Sequence, residues 1–318
     1  MINPKIIINI LFATILTILV GGCSPEIVQN NKKSYEGPLI DTHMHISMTD
    51  HININEQNHA LFMKIMDKHQ IKKILGFNLA NKKSLDMASY LAQEYPNRFE
   101  MFLQMTSPEP SKKEMEMVLN QSLFRGIGEL SFNRDASTQD IHPDNVEFLK
   151  LYDKLADSKK LIYIHPANTK RLQKALSHNK KLIFLMHGTE TLNEFPKLAD
   201  GNENVHYTID TAYLIGHYTN GRFESLLNVT SGKQEFLSAL NKNYAQFMEG
   251  AIATYKPLVE KYPDRFLWGT DLWLEWQFDE DVYDAIVGFS RDFLGNLSPE
   301  TAEKVAYSNA EKILKKDS

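Results

Sequence analysis

The chain has 318 residues, 42% of them hydrophobic and 24% charged, with 15 Gly and 12 Pro; this is globular usage and excludes collagen-like, low-complexity and wholly disordered chains. Lys and Arg number 35 against 40 Asp and Glu, a formal charge of −5, which leaves no basic surplus for a phosphate backbone and argues against a general nucleic-acid binder. A single cysteine excludes a disulfide framework and any Cys-rich zinc module.

Lys5 is the one charge before an apolar run from Ile6 to Val20, which ends in Gly21, Gly22 and Cys23. A run of about 15 residues is short for a membrane span and suits the core of a signal peptide. The sequence L-V-G-G-C resembles a bacterial lipobox, in which the cysteine is lipidated and becomes the first mature residue. On that resemblance residues 1–22 are a lipoprotein signal peptide, Cys23 carries the lipid, 23–36 are a polar tether, and 37–318 form the body. The expected location is the bacterial cell envelope, anchored to a membrane outside the cytoplasm. A plain signal peptide and an uncleaved anchor are the competing readings.

Along the body, apolar β-rich runs alternate with amphipathic helical patterns. Strands are predicted at Leu39–His45, Ile71–Phe77, Phe99–Thr106, Phe124–Glu129, Leu161–His165, Leu182–His187, Val205–Ile209 and Phe266–Asp271. Most begin roughly 20 to 35 residues after the last, as parallel βα units do. Helical spacing links Phe148, Leu151, Tyr152 and Leu155, and again Phe236, Leu240, Tyr244 and Phe247. Ser298 before Pro299 marks a helix start. Eight such units predict a single-domain (β/α)8 TIM barrel, with a doubly wound open sheet as the competitor. No G-x-G-x-x-G or phosphate-loop motif follows a strand, which weakens the nucleotide-binding form of that competitor. Residues 210–265 make the longest connection, and its early part, Thr211 to Gly232, is expected to form a lid or pocket wall on the catalytic face.

The strongest local signal is L-I-D-T-H-M-H-I at 39–46. Alternation along a strand places Asp41, His43 and His45 on one face, where two imidazoles can converge on one ion. Alone the motif is weak. It gains force from the other strand ends, where Glu129, His165, His187 and Asp271 each close an apolar run. Barrel enzymes keep their sites at the C-terminal ends of the strands, and imidazole with carboxylate suits zinc, with manganese or iron as substitutes. Taken singly, each of these residues could be a satisfied core histidine, a helix cap or a surface carboxylate; together they predict a divalent metal site holding one or two ions.

The D-T-H-M-H motif, the isolated histidines of strands 5 and 6, R-F-L-W-G-T-D at strand 8 and the terminal Y-S-N-A-E-K-I-L resemble the amidohydrolase superfamily, in its amidohydrolase-related (ACMSD-like) form. The likeness runs from Leu39 to about Leu314. It implies that His43, His45, His165 and Asp271 bind a first metal, and that His187 binds a second or polarises the substrate. Asn309 matches a structural position. Two-metal members often carry a carboxylated lysine where this chain has Glu129, and I-G-E is similar to the TatD-type nucleases. Glu129 is therefore expected as a ligand bridging to a second, weaker ion.

The expected chemistry is hydrolysis of an amide, ester or lactone bond in a small molecule, with Asp271 as proton carrier and His187 assisting. The alternatives are an ACMSD-like decarboxylase, a TatD-like nuclease and a surface lipoprotein that only binds a ligand. Tyr213, His217 and Trp273 are the candidate substrate-binding residues on loops of the catalytic face, and Trp276 shares that stretch. His51, His59, His69, His142 and His178 are expected away from the site. His206 shares strand 7 with the apolar face of Val205, Tyr207 and Ile209, and its face is expected to lose to that one for the barrel interior. Met101 to Met117 reads as packing.

Overall fold

The computed structural model describes residues 33–48, 51–105, 111–132, 141–166, 168–219 and 222–315. The predicted signal peptide, lipidated Cys23 and most of the tether lie outside the described residues. Among the described residues, no helix is long and apolar enough to cross a membrane.

All eight predicted strands form. They are β1 (Leu39–His45), β2 (Ile71–Leu79), β3 (Phe99–Gln104), β4 (Phe124–Phe132), β5 (Leu161–Pro166), β6 (Phe184–Met186), β7 (Val205–Asp210) and β8 (Phe266–Gly269). They lie side by side in chain order in one sheet, each pair parallel. Beyond the last ladder residue of β8 the chain returns to β1. His45 N donates to Leu272 O at 2.9 Å and Asp271 N to His43 O at 2.8 Å, with a parallel bridge between Met44 and Leu272. Those bonds join the two outer strands, so the sheet is a (β/α)8 barrel and the open-sheet alternative falls.

Two apolar layers follow from strand alternation. Ile40, Leu75, Phe77, Phe102, Leu161, Tyr163, Leu185 and Leu267 pack together inside the barrel, and Ala310 and Ile313 of the C-terminal helix Asn309–Lys315 plug its lower end. The larger layer lies between strands and helices. In it Phe148, Leu151, Tyr152 and Leu155 of helix Val146–Asp157 are all buried, as their spacing predicted. Met101 and Met105 are buried there too. Asn309 holds the foot of β8, donating to Pro263 O and Phe266 O at 2.7 and 2.9 Å.

The connection after β7 is more ordered than its loop-like composition suggests. A short helix (Thr211–Leu214), a hairpin (Gly216–Thr219 with Arg222–Ser225) and a second short helix (Leu226–Val229) lead into a 29-residue helix, Lys233–Lys261.

One expectation about β1 fails. The pairing of β1 with β2 slips between Asp41 and Met44, and this bulge breaks the alternation that put Asp41 beside the histidines. The rings of His43 and His45 both contact Phe77 of the inner layer, whereas Asp41 turns to the seam. There Asp41 accepts hydrogen bonds from His43 N, Thr270 N and Thr270 Oγ1 at 3.1, 3.0 and 2.6 Å. Burial outweighs those bonds and raises its pKa from 3.8 to about 7. A carboxyl whose pKa is higher in the folded chain favours folding below its unfolded value and loses that contribution as pH rises through its folded value. Asp41→Asn keeps the shape and one of the two acceptor oxygens and cannot ionise. In metal-free protein, the melting temperature of Asp41→Asn relative to wild type is expected to rise between pH 5 and pH 8; a difference that stays flat across that range contradicts a titrating Asp41.

Candidate metal centre

Every predicted ligand reaches one basin at the C-terminal mouth of the barrel. His43 and His45 arrive from β1, Glu129 from β4, His165 from β5, His187 from the residue after β6, and Asp271 from the turn after β8. β4 does not end at Glu129 but runs on to Phe132, and its pairing with β5 slips between Ile127 and Leu130. That slip aims Glu129 inward. Gly128 makes it feasible, since its φ is +140° and any Cβ would collide with the Tyr163 carbonyl. Asp271 has a φ of +56°, a left-handed conformation that Asp tolerates better than most residues.

The side chains form two ligand-capable sets that share one carboxylate. His43, His45 and Glu129 present donor atoms within 4.8 Å of one another, as do Glu129, His165 and His187. Asp271 joins the first set, with Oδ1 at 3.6 Å from His43 Nε2 and 3.4 Å from His45 Nε2. In the second set, Glu129 Oε1 lies 2.8 Å from both His165 Nδ1 and His187 Nε2, while its Oε2 is 3.8 Å from His43 Nε2. His165 therefore sits with Glu129 and His187 rather than with the His43–His45 pair to which the family resemblance assigned it.

The electrostatics are those of ligands without a cation between them. Burial alone would raise the Glu129 carboxyl, but the neighbouring His187 and His165 hold it well below its usual range. Burial alone would lower His187, yet the Glu129 and Asp210 carboxylates push it well above its ordinary value. His45 is raised in the same way, burial opposing and Asp271 prevailing. Among the described residues, His43 Nε2 is buried with no hydrogen-bond partner, a costly state for a polar atom that coordination would relieve. The donor set of imidazole and carboxylate, with this orphaned nitrogen, fits a divalent ion of the zinc, manganese or iron type.

No protein-family model matches the sequence, and no curated protein matches it either. Solved structures do match. A dihydroorotase from Campylobacter jejuni superposes with a TM-score of 0.53 at 14% identity, over 87% of this chain and 83% of that one. An amidohydrolase from Burkholderia multivorans with bound zinc gives a TM-score of 0.53 at 13% identity, over 87% and 99%. The chain shares the (β/α)8 barrel fold of these proteins. At such identities the likeness speaks for the fold, and the site rests on the geometry above.

The mouth of the barrel contains two residues that the sequence pattern did not single out. Asp210, at the end of β7, is fully buried. It lies 2.8 Å from His187 Nδ1 and 3.2 Å from His43 Nδ1, so one carboxylate turns both Nε2 atoms toward the basin. Asp210 also belongs to a third ligand-capable group, with His43, His187 and Asp271. We assign it to orientation, because both its oxygens already face imidazole Nδ1 atoms. Gln104, the last residue of β3, plays the matching part for His45, with Oε1 3.1 Å from Nδ1. Both continue the strand-end pattern that pointed to the other ligands. Asp210 was hidden by the choice of face on β7. Val205, Tyr207 and Ile209 pack against the helices, while Thr208 meets Thr42 of β1 at 3.2 Å and Asp210 meets the histidines. The inward face is the polar one, and His206 lies on it, at the opposite end from the metal ligands.

The floor of the basin is aromatic, with Phe77 and Tyr163 centred 5.0 and 4.7 Å from the His43 ring. Of the candidate substrate residues, Tyr213 reaches the site, its ring 6.1 Å from that of His187. On its other side Tyr213 lines a cavity of about 220 Å³ with Phe223 and Gly250, between the connection after β7 and the long helix. Trp273 is tied to the ligand strand through Asn53, whose Nδ2 donates to both His45 O and Trp273 O at 2.8 and 3.0 Å. Trp276 packs on Phe236 instead. The side chain of His217 lies outside what the structure describes. His59, His69 and His178 bond to Tyr95, Asp284 and Asp153 away from the basin.

Asp210→Asn is nearly isosteric, but its amide can accept from only one of the two imidazoles. Loss of such an orienting partner typically weakens metal binding about 10–100-fold. A loss of that order is expected in zinc titrations of the purified variant with the melting temperature little changed; unaltered affinity would place Asp210 outside the orientation of the ligands.

Proposed function

We propose that the chain is a metal-dependent hydrolase that cleaves an amide, ester or lactone bond of a small molecule. The observation that carries this reading is the pair of nitrogen and oxygen ligand sets joined by Glu129, with the Asp271 carboxylate at the edge of the first. The zinc bound by an amidohydrolase of the same fold supports the choice of ion. A divalent ion held there lowers the pKa of water from 15.7 to about 7 and polarises the scissile carbonyl.

The remaining steps belong to the protein. His43, His45 and Asp271 would hold a first ion and His165 and His187 a second, with the Glu129 carboxylate, common to both sets, supplying negative charge to offset their repulsion. As water adds to the carbonyl carbon, Asp271 takes the proton that water loses. It then returns that proton to the departing nitrogen or oxygen as the old bond breaks. The Phe77–Tyr163 floor keeps bulk solvent from one side, and Tyr213, beside His187, is assigned to the substrate side of the basin.

Two measurements test this reading. Asp271→Asn can still coordinate through oxygen but cannot accept the proton, so turnover is expected to fall about 10²–10⁴-fold in an ester, lactone and amide panel, with KM changing far less. Wild-type turnover in that variant would remove Asp271 from the chemistry. In metal titrations, wild type is expected to reach two ions per chain and Glu129→Gln only one. A wild type that saturates at one ion excludes the shared-carboxylate arrangement; a variant that still takes two shows that Glu129 does not join the sites.

A further inference from the structure

The end of the barrel opposite the metal ligands carries a second cavity, of about 760 Å³, opening where β6, β7 and β8 begin. That volume is in the range of small-molecule sites. Its charge runs against that of the whole chain. Lys180 and Lys181 reach it from the turn before β6, Lys261 from the end of the long helix, Arg265 from the turn before β8, and Lys312 from the C-terminal helix. Against these five cations stand the carboxylates of Glu203 and Asp264, and Asp264 is paired at 3.1 Å with Lys304.

The cavity has a rigid frame. Asn204 is buried beneath it and donates to Asn179 O and Leu182 O at 3.1 and 2.9 Å. Asn309, also buried, is fixed to the foot of β8 as described above. Arg265 is held by the Glu203 carbonyl, and Lys180 donates to Gly201 O and Asn202 Oδ1 at 3.1 and 2.6 Å. Lys181, Lys261 and Lys312 are exposed at the rim, where they can close on a ligand. His206 enters the same space from the polar face of β7.

We propose that this cavity binds a phosphate-bearing group. Several cations from four separate segments converge on one concave space, whose low-dielectric walls concentrate their field. A group with about two negative charges and three acceptor oxygens matches that donor set better than a single carboxylate does. The chain's acidic balance elsewhere argues against a nucleic-acid strand, which would need basic surface beyond the cavity. The site faces away from the metal centre, so its ligand is bound independently of the proposed hydrolysis.

The test uses the full chain, stripped of metal by chelator, at low ionic strength. One arm measures inorganic pyrophosphate by calorimetry, and the other co-sedimentation with phosphatidylglycerol vesicles against neutral phosphatidylcholine ones. Each is repeated with the triple variant Lys181→Gln/Lys261→Gln/Lys312→Gln and with His43→Ala/His45→Ala, which controls for phosphate at the metal ligands. At least one phosphate probe is expected to bind, weakened about tenfold or more in the triple variant, unchanged in the histidine variant, and weakened by added salt. Binding in the pyrophosphate arm alone identifies a soluble phosphate compound, and binding in the vesicle arm alone a lipid headgroup. The proposal is overturned if neither probe binds at low salt, or if the triple variant binds as wild type does.

Discussion

The His43 carbonyl accepts two backbone hydrogen bonds, from Thr270 N and Asp271 N, and the geometry of the mouth depends on that seam. The bonds are made by residues beyond the last ladder pair of β8, so the barrel closes through the same turn that delivers Asp271. A strand carrying two imidazoles and a turn carrying a carboxylate are thereby fixed against each other by main chain rather than by flexible side chains. Asp41, buried in the seam and bonded to Thr270, reinforces it. The bulge in β1 is the local adjustment that allows Asp41 to serve the seam while His43 and His45 serve the basin.

Around that seam the charges form a closed circuit. Asp210 faces two imidazoles, one of which faces Glu129, which faces His165 in turn. The imidazoles lower the Glu129 and Asp210 carboxyls, and those carboxylates raise His187. Imidazole must be unprotonated to coordinate, so the affinity of such a site for a cation should fall in acid.

Much of this was legible in the sequence, because a parallel barrel writes its site into one repeated position. Eight apolar runs set the strand count, and the five that end in His45, Glu129, His165, His187 and Asp271 pointed to the side chains that meet at the mouth. Illegible were the departures from strict alternation. Nothing in D-T-H-M-H announces the slip that turns Asp41 away, and nothing before Glu129 except Gly128 announces the bulge that aims it. On β7 the apolar residues face the helices because that layer is larger than the barrel interior, where Thr42 and Thr208 satisfy each other. A reading that gives the interior to the more apolar face loses Asp210 with it. The neighbours of His165 were hidden for a different reason: sequence order along the barrel says which strands adjoin but not how far each side chain leans across the mouth.

The left-handed backbone at Asp271 has an evolutionary consequence. Most side chains clash with their own carbonyl in that conformation, while Gly, Asn and Asp accept it, so the turn filters substitutions before chemistry does. Position 271 should therefore drift along a narrow corridor in which Asn and Gly preserve the turn and Asp alone preserves a proton acceptor. A homologue that kept the barrel without the proposed hydrolysis would reveal itself there, by carrying one of the two residues that the backbone permits and that reaction would not.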